Sequence, residues 1–106
     1  MRVMIAAVLL GVFTPCGGAA ERPSLTQKGH VLVTKLCASC HAIGKNDTSP
    51  HAAAPPFRHL DRELDFDSFA VRLRGGLMTG HQGMPTFRFS RDDAFAVAAY
   101  LRAVQG

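Results

Sequence analysis

Apolar residues recur at intervals of three and four near the start of the polar part of the chain, and this spacing predicts an amphipathic helix. Ser24 is a residue type that caps helix N-termini, and the apolar side consists of Leu25, Leu32, Val33 and Leu36. Gly29 lies inside this helix, where glycine costs about 1 kcal/mol relative to alanine. It indicates either a close approach of another backbone or a merely tolerated glycine.

Two later segments show the same helical spacing. The middle one begins at Leu60 and is expected to form one or two short helices; Asp65 or Asp67 can cap the second, and Gly75–Gly76 ends it. The last one begins after Ser90 and carries an apolar stripe formed by Ala94, Val97, Ala98 and Leu101. Loop-forming residues dominate positions 42–57 and 77–89, and no segment alternates with a period of two. The expected fold class is therefore all-α, with three to five short helices.

Residues 1–20 differ in character from the rest of the chain. Arg2 precedes an uncharged apolar run, and small residues ending at Ala20 precede the polar chain. This pattern predicts a secretory signal peptide cleaved after Ala20, which leaves a single domain of residues 21–106. The apolar run is shorter than the roughly 20 residues that span a bilayer, so no transmembrane segment is expected in the mature chain. Cys16 leaves a lipoprotein signal as a less favoured alternative.

The mature chain would keep 11 basic and 8 acidic side chains, a net charge of +3. This bias is weak, and the chain has no basic run interleaved with aromatic residues, so nucleic-acid binding is not expected. A domain this small buries limited apolar surface and usually needs a disulfide, a metal or a bound cofactor for stability.

Cys37, Cys40 and His41 lie within five positions and allow three interpretations: a redox dithiol, a metal site or a haem attachment site. A redox dithiol normally lies at a helix N-terminus, where the helix dipole lowers the thiol pKa, whereas this pair follows a predicted helix. A structural zinc needs four ligands, and neither a second C-x-x-C nor a paired H-x₃₋₅-H follows.

The pattern C-x-x-C-H is that of covalent c-type haem attachment. Two sulfurs one turn apart can each add to a vinyl group on one edge of the porphyrin, and the next residue can then reach the iron. We therefore expect one covalent haem c, joined through Cys37 and Cys40, with His41 as an axial ligand of the iron. Met84, in a glycine-bounded loop, is the expected second axial ligand, because His/Met ligation is the usual cytochrome c arrangement. The alternatives to this methionine are Met78 and His81.

The mature chain resembles the class I mono-haem c-type cytochromes along nearly its whole length. The resemblance rests on a glycine eight residues before "CASCH", on "APPF", on "GMPTF" and on "AFAVAAYL" in the last helix. It implies a compact helical shell around one haem, in which Gly29 meets Tyr100 where the first and last helices cross. It also implies that the carbonyl of Pro55, or alternatively that of Pro56, bonds the other ring nitrogen of His41.

The partners of the haem propionates are left open, because the chain has no tryptophan and only one tyrosine. The residues considered for this role are Arg58, Arg62, Arg74 and Thr86. A second set of basic residues, which shares Arg74 with the first, either forms a rim around the exposed haem edge or is simply solvated; it consists of Lys28, Lys35, Lys45, Arg72, Arg74, Arg88 and Arg91.

Two protein ligands would leave no open position on the iron, which argues against an enzyme. The expected function is that of an exported, periplasmic one-electron carrier that meets redox partner proteins transiently, as a monomer or as a subunit of a redox complex. One alternative is a haem c subunit bound to a periplasmic dehydrogenase or reductase. A less favoured one is a haem-based sensor in which Met84 is displaced.

Overall fold

The computed structural model describes residues 10–14, 17, 22–75 and 87–106. These residues form three α-helices and one 3₁₀ helix, and they contain no strand. The α-helices are α1 (Leu25–Leu36), α2 (Phe66–Gly75) and α3 (Arg91–Val104), and the 3₁₀ helix spans Phe57–Arg62. The predicted all-α fold class is confirmed.

Helix α1 begins with a reciprocal pair of hydrogen bonds. The Ser24 hydroxyl accepts from the Gln27 amide at 3.1 Å, and the Ser24 amide donates to the Gln27 side chain at 2.8 Å. This capping box satisfies two groups that a helix end would otherwise leave unpaired. The helix ends where the motif begins, because Cys37 leaves the helical conformation while its amide still donates to the Val33 carbonyl.

The other two helices are also capped by side chains at their N-termini. The Asp65 carboxylate accepts from the amide and the hydroxyl of Ser68, at 3.0 and 2.6 Å, and these hydrogen bonds lower the pKa of Asp65. Asp65, and not Asp67, is therefore the cap of α2. The Ser90 hydroxyl accepts from the Asp93 amide at 3.1 Å and starts α3, which fixes both helices where the sequence pattern places them.

Helices α1 and α3 cross at Gly29. A Cβ atom added to this glycine would lie 2.0 Å from the carbonyl oxygen of Ala96 and 2.8 Å from the Cβ of Tyr100. Real Cβ atoms essentially never approach heavy atoms this closely, so the crossing needs glycine. The structure confirms the expected close approach at Tyr100 and shows that the Ala96 backbone is the tighter contact.

The C-terminal residues attach the 3₁₀ helix to α3. The Gln105 side-chain nitrogen donates to the carbonyls of Phe57 and Leu101, at 2.6 and 2.7 Å. The side-chain oxygen of Gln105 accepts from the Asp61 amide at 3.0 Å. Because all three partners are backbone groups, Gln105 fixes the position of the 3₁₀ helix, whose Phe57 and Leu60 are buried.

The described part of the N-terminal segment lies outside the core. Leu10, Val12 and Phe13 are almost fully exposed, the last of them 97%. Across residues 10–14, 17, 22–75 and 87–106, no helix is both long and apolar enough to cross a bilayer.

Candidate haem site

An apolar cavity of about 320 Å³ lies between α2, α3, the 3₁₀ helix and the end of α1. Most of its wall is made of aromatic and aliphatic side chains, among them Phe57, Leu60, Phe69, Leu73, Val97 and Leu101. The polar or ionisable side chains in the described wall are those of Cys37, His41, Glu63 and Arg72. The cavity therefore suits a large apolar ligand with a few defined polar groups.

His41 lies in the wall of this cavity and is 7% exposed. Its Nδ1 lies 2.7 Å from the carbonyl oxygen of Pro55. A carbonyl oxygen can only accept, so Nδ1 carries the proton and Nε2 of the neutral ring carries the lone pair. The ring also packs against Phe57, with 4.9 Å between the ring centroids. The hydrogen bond thus selects one tautomer of the neutral imidazole, with the lone pair on Nε2.

The cysteines and the histidine of the motif form a single turn at the end of α1. The amides of Cys40 and His41 both donate to the Cys37 carbonyl, at 3.1 and 2.9 Å. This turn brings the two cysteine side chains and the imidazole to the same end of the helix.

Hydrogen bonds fix the chain that follows His41. The amide of Ala42 donates to the Ser49 hydroxyl, and the Ala42 carbonyl accepts from the Phe57 amide, both at 2.9 Å. The Asp47 carboxylate accepts from the amides at positions 43 and 44. The sequence pattern predicts a loop here and does not single out Ser49 or Asp47. Ser and Asp side chains commonly accept hydrogen bonds from nearby backbone amides, and this tendency could have identified both residues from the sequence.

Cys37 and Cys40 are both free thiols in the described structure. Burial raises the pKa of the Cys37 thiol to about 11, so this sulfur is protonated at neutral pH. A redox dithiol needs a lowered pKa for its attacking thiol. The environment of Cys37 therefore does not support the redox-dithiol interpretation.

The described residues also give no support to the zinc interpretation. In residues 22–75 and 87–106, no three His, Cys, Asp or Glu side chains come close enough to hold a metal ion. Met84, its alternatives Met78 and His81, and Thr86 lie outside the described residues.

The arginines considered as partners of the haem propionates differ in whether they line the cavity. Arg58 donates to the Asp47 carbonyl at 2.7 Å, while Arg62 and Arg74 are exposed and do not line the cavity. Arg72, expected at the surface rim, lines the cavity instead. Helical spacing could have identified it, because Arg72 follows the cavity residue Phe69 by three positions and so lies on the same face.

Two other residues expected at the basic rim form local contacts. Lys28 of α1 makes an ion pair with Asp93 of α3 at 2.9 Å. The hydrogen bond that Lys28 donates to the Asp93 carboxylate raises the pKa of Lys28. The guanidinium of Arg91 lies over the ring of Phe95, 5.4 Å from its centroid.

Cys37 and His41 of the C-x-x-C-H turn line the cavity, and Cys40 does not. An all-α shell around an apolar cavity beside a C-x-x-C-H turn is the architecture of a small c-type cytochrome. A family model described as cytochrome C oxidase, cbb3-type, subunit III matches residues 24–101. The chain is 34% identical over 77 residues to cytochrome c-552 of Bradyrhizobium diazoefficiens, covering 73% of this chain and 72% of that protein. No solved structure matches it. The chain belongs to the family of mono-haem c-type cytochromes, whose members bind haem c and transfer electrons.

Proposed function

We propose that this protein is an exported mono-haem c-type cytochrome that carries single electrons between redox partners in the periplasm. Residues 1–20 act as the cleaved signal peptide, and residues 21–106 form the mature domain. One haem is joined through Cys37 and Cys40, and its iron is ligated by His41 and Met84.

The observation that carries this proposal is the setting of His41. Its ring is buried in the cavity wall next to the attachment turn, and Nδ1 is 2.7 Å from the Pro55 carbonyl. A hydrogen bond to the non-ligating nitrogen fixes the ring orientation and makes the ligating nitrogen a stronger donor. Of the two prolines in "APPF", Pro55 makes this contact.

The described residues fit the chemistry of a haem. The cavity wall is mostly aromatic and aliphatic, Cys37 and His41 of the motif both line it, and the hydrogen bond at Nδ1 puts the lone pair of a neutral His41 ring on Nε2. When bound, the haem supplies reversible exchange of one electron at its iron.

The chain's own residues define the conditions for that exchange. The apolar side chains exclude water and lower the local dielectric constant, which disfavours the additional positive charge of the oxidised state. His41 and Met84 together would fill both axial positions and leave no position for a substrate, which is why the proposal is an electron carrier and not an enzyme.

The covalent attachment is tested on the full chain, expressed in a host that exports proteins and attaches haem c. We expect an intact mass equal to residues 21–106 plus one haem, and pigment that stays with the polypeptide under denaturing conditions. In the matched variant Cys37→Ser/Cys40→Ser, the pigment should be extractable. Extraction of the pigment from the unmodified protein would contradict the proposal.

The second axial ligand is tested by comparing two methionine variants. The oxidised protein should show the far-red sulfur-to-iron(III) absorption band. We expect Met84→Ala to lose this band and Met78→Ala to retain it. The reverse result would assign Met78 as the ligand, and absence of the band from the unmodified protein would favour His81.

One observation favours a second function, that of a haem c subunit held in a larger redox complex. The matching family model is described as a subunit of a cbb3-type oxidase. Size-exclusion chromatography of a native extract separates the two functions, because a diffusible carrier elutes as a small monomer and a bound subunit elutes with its complex.

A further inference from the structure

Arg72 is the one arginine in the described wall of the haem cavity, and its side chain is incompletely paired. The Nε atom is fully buried and finds no hydrogen-bond partner among the described residues. The guanidinium carbon lies 5.9 Å from the centroid of the Phe69 ring, which also lines the cavity. The aromatic face thus supports the cation at the cavity wall.

A buried donor without an acceptor is costly. Leaving such a group unpaired destabilises a protein by about 1–3 kcal/mol, and by more when the group is charged. Each such group in a native structure therefore calls for a partner that supplies an acceptor. The best acceptor for a guanidinium is an anion of planar geometry, such as a carboxylate.

The described protein groups near Arg72 do not provide that acceptor. Glu63 also lines the cavity, but it is exposed, and it forms no ion pair with Arg72 in the described structure. Asp65 accepts from Ser68 at the cap of α2. Among residues 22–75 and 87–106 no acceptor remains for the Nε–H, and the cavity that Arg72 lines offers its occupant as the partner.

We propose that Arg72 donates its Nε–H to a propionate carboxylate of the haem. This inference rests on the proposed function. The propionates are the only carboxylates of a haem, and they lie on the half of the ring opposite the two vinyl groups. With the vinyl edge held at Cys37, at the end of α1, the propionate edge extends towards another part of the wall. Arg72 reaches the cavity from α2, a separate element.

This assignment makes Arg72 a positioning residue that also affects the reduction potential. A fixed positive charge near the haem favours the reduced iron, which has one positive charge fewer. Its effect is strengthened by the apolar wall, because a low dielectric constant screens charges less than water does. Loss of the charge should therefore lower the reduction potential.

The test is a redox titration of four holoproteins: the unmodified protein, Arg72→Gln, Arg72→Lys and Arg74→Gln. We expect Arg72→Gln to change the equilibrium constant for reduction about tenfold towards the oxidised form, which corresponds to about 59 mV for one electron. Arg72→Lys keeps the charge but lacks the Nε–H, so its reduction potential should lie between that of the unmodified protein and that of Arg72→Gln. Arg74→Gln removes an exposed charge two residues further along α2 and should leave the potential nearly unchanged, because solvent screens it.

Two outcomes of the titration would overturn the inference. One is an Arg72→Gln potential equal to that of the unmodified protein. The other is an Arg72→Lys potential equal to that of the unmodified protein, which would show that the charge acts without donation from Nε.

A measurement on the unmodified reduced holoprotein decides the matter even if the variants fail to assemble. In protein with ¹⁵N-labelled arginine, the Nε–H of Arg72 should exchange slowly with solvent and show a nuclear Overhauser effect to the propionate methylene protons. Fast exchange without this effect would overturn the inference. Failure of the proposed function is distinguishable, because it would appear as a chain without covalent haem before either experiment begins.

Discussion

Replacing Gly29 with alanine tests whether the helix crossing is as tight as the structure indicates. The new Cβ would lie 2.0 Å from the Ala96 carbonyl oxygen, whereas ordinary contacts begin at about 3.4 Å. The shortfall is more than 1 Å, and the obstacle is backbone, which cannot rotate aside. Helices α1 and α3 must therefore separate, and the packing on both sides of the contact loosens.

The expected net effect of this substitution combines two terms. Overpacking typically costs 1–3 kcal/mol, and a backbone obstacle favours the upper end, about 3 kcal/mol. Alanine returns about 1 kcal/mol through its higher helix propensity. We expect the free energy of unfolding to fall by about 2 kcal/mol, which for a domain of this size lowers Tm by roughly 8–16 °C.

Guanidinium chloride unfolding of the holoprotein, followed by far-ultraviolet circular dichroism, measures the effect. Gly75→Ala is the matched control, since it makes the same change in the last residue of α2, where an added Cβ meets nothing within 4 Å. The control should be neutral or slightly stabilising. A Gly29→Ala protein at least as stable as the unmodified one would refute the reasoning, because helix propensity alone would then decide the outcome.

Three further measurements probe other contacts. Gln105→Ala should destabilise the holoprotein by about 1–3 kcal/mol in chemical denaturation, because it leaves three backbone groups without their partner. Gln105→Glu should be no better, since a carboxylate cannot donate to the two carbonyls. Burial, and to a lesser extent Asp47, raises the pKa of Tyr100 above its ordinary value of 10.0. The protonated Tyr100 side chain therefore contributes its full stabilisation below about pH 10, and this stabilisation is lost as the pH rises through the raised pKa. Tyr100→Phe should abolish this pH dependence of the free energy of unfolding. Electron transfer to an acidic partner should slow with increasing ionic strength; a flat dependence would exclude a basic docking rim.

The sequence alone predicted the features that depend on local spacing. The caps at Ser24 and Ser90 and the three α-helices follow from side-chain chemistry within a few residues, and the structure has all of them. The close approach at Gly29 was also foreseen, because glycine in a helix interior is unfavourable unless something requires it. The resemblance to a known family then supplied its partner, Tyr100.

Features that depend on distant residues were not predictable in this way. The 3₁₀ helix at Phe57–Arg62 follows two prolines and begins three residues before the segment in which short helices were expected. Part of its stability comes from Gln105, more than 40 positions away, which bonds its backbone. Arg72 is a different case: its charge suggested an exposed side chain, although its spacing of three from Phe69 places it on the cavity face of α2.

The same long-range contacts bear on the proposed electron transfer. The chain after His41 is held at Ala42 by Ser49 and Phe57, and Phe57 in turn is held by Gln105 of the segment that follows α3. A change in the position of the imidazole would disturb hydrogen bonds along this whole series. The histidine should therefore keep its position when the iron changes its charge. A carrier transfers electrons faster when its ligands rearrange less, so in the proposed function these hydrogen bonds would serve electron transfer as well as folding.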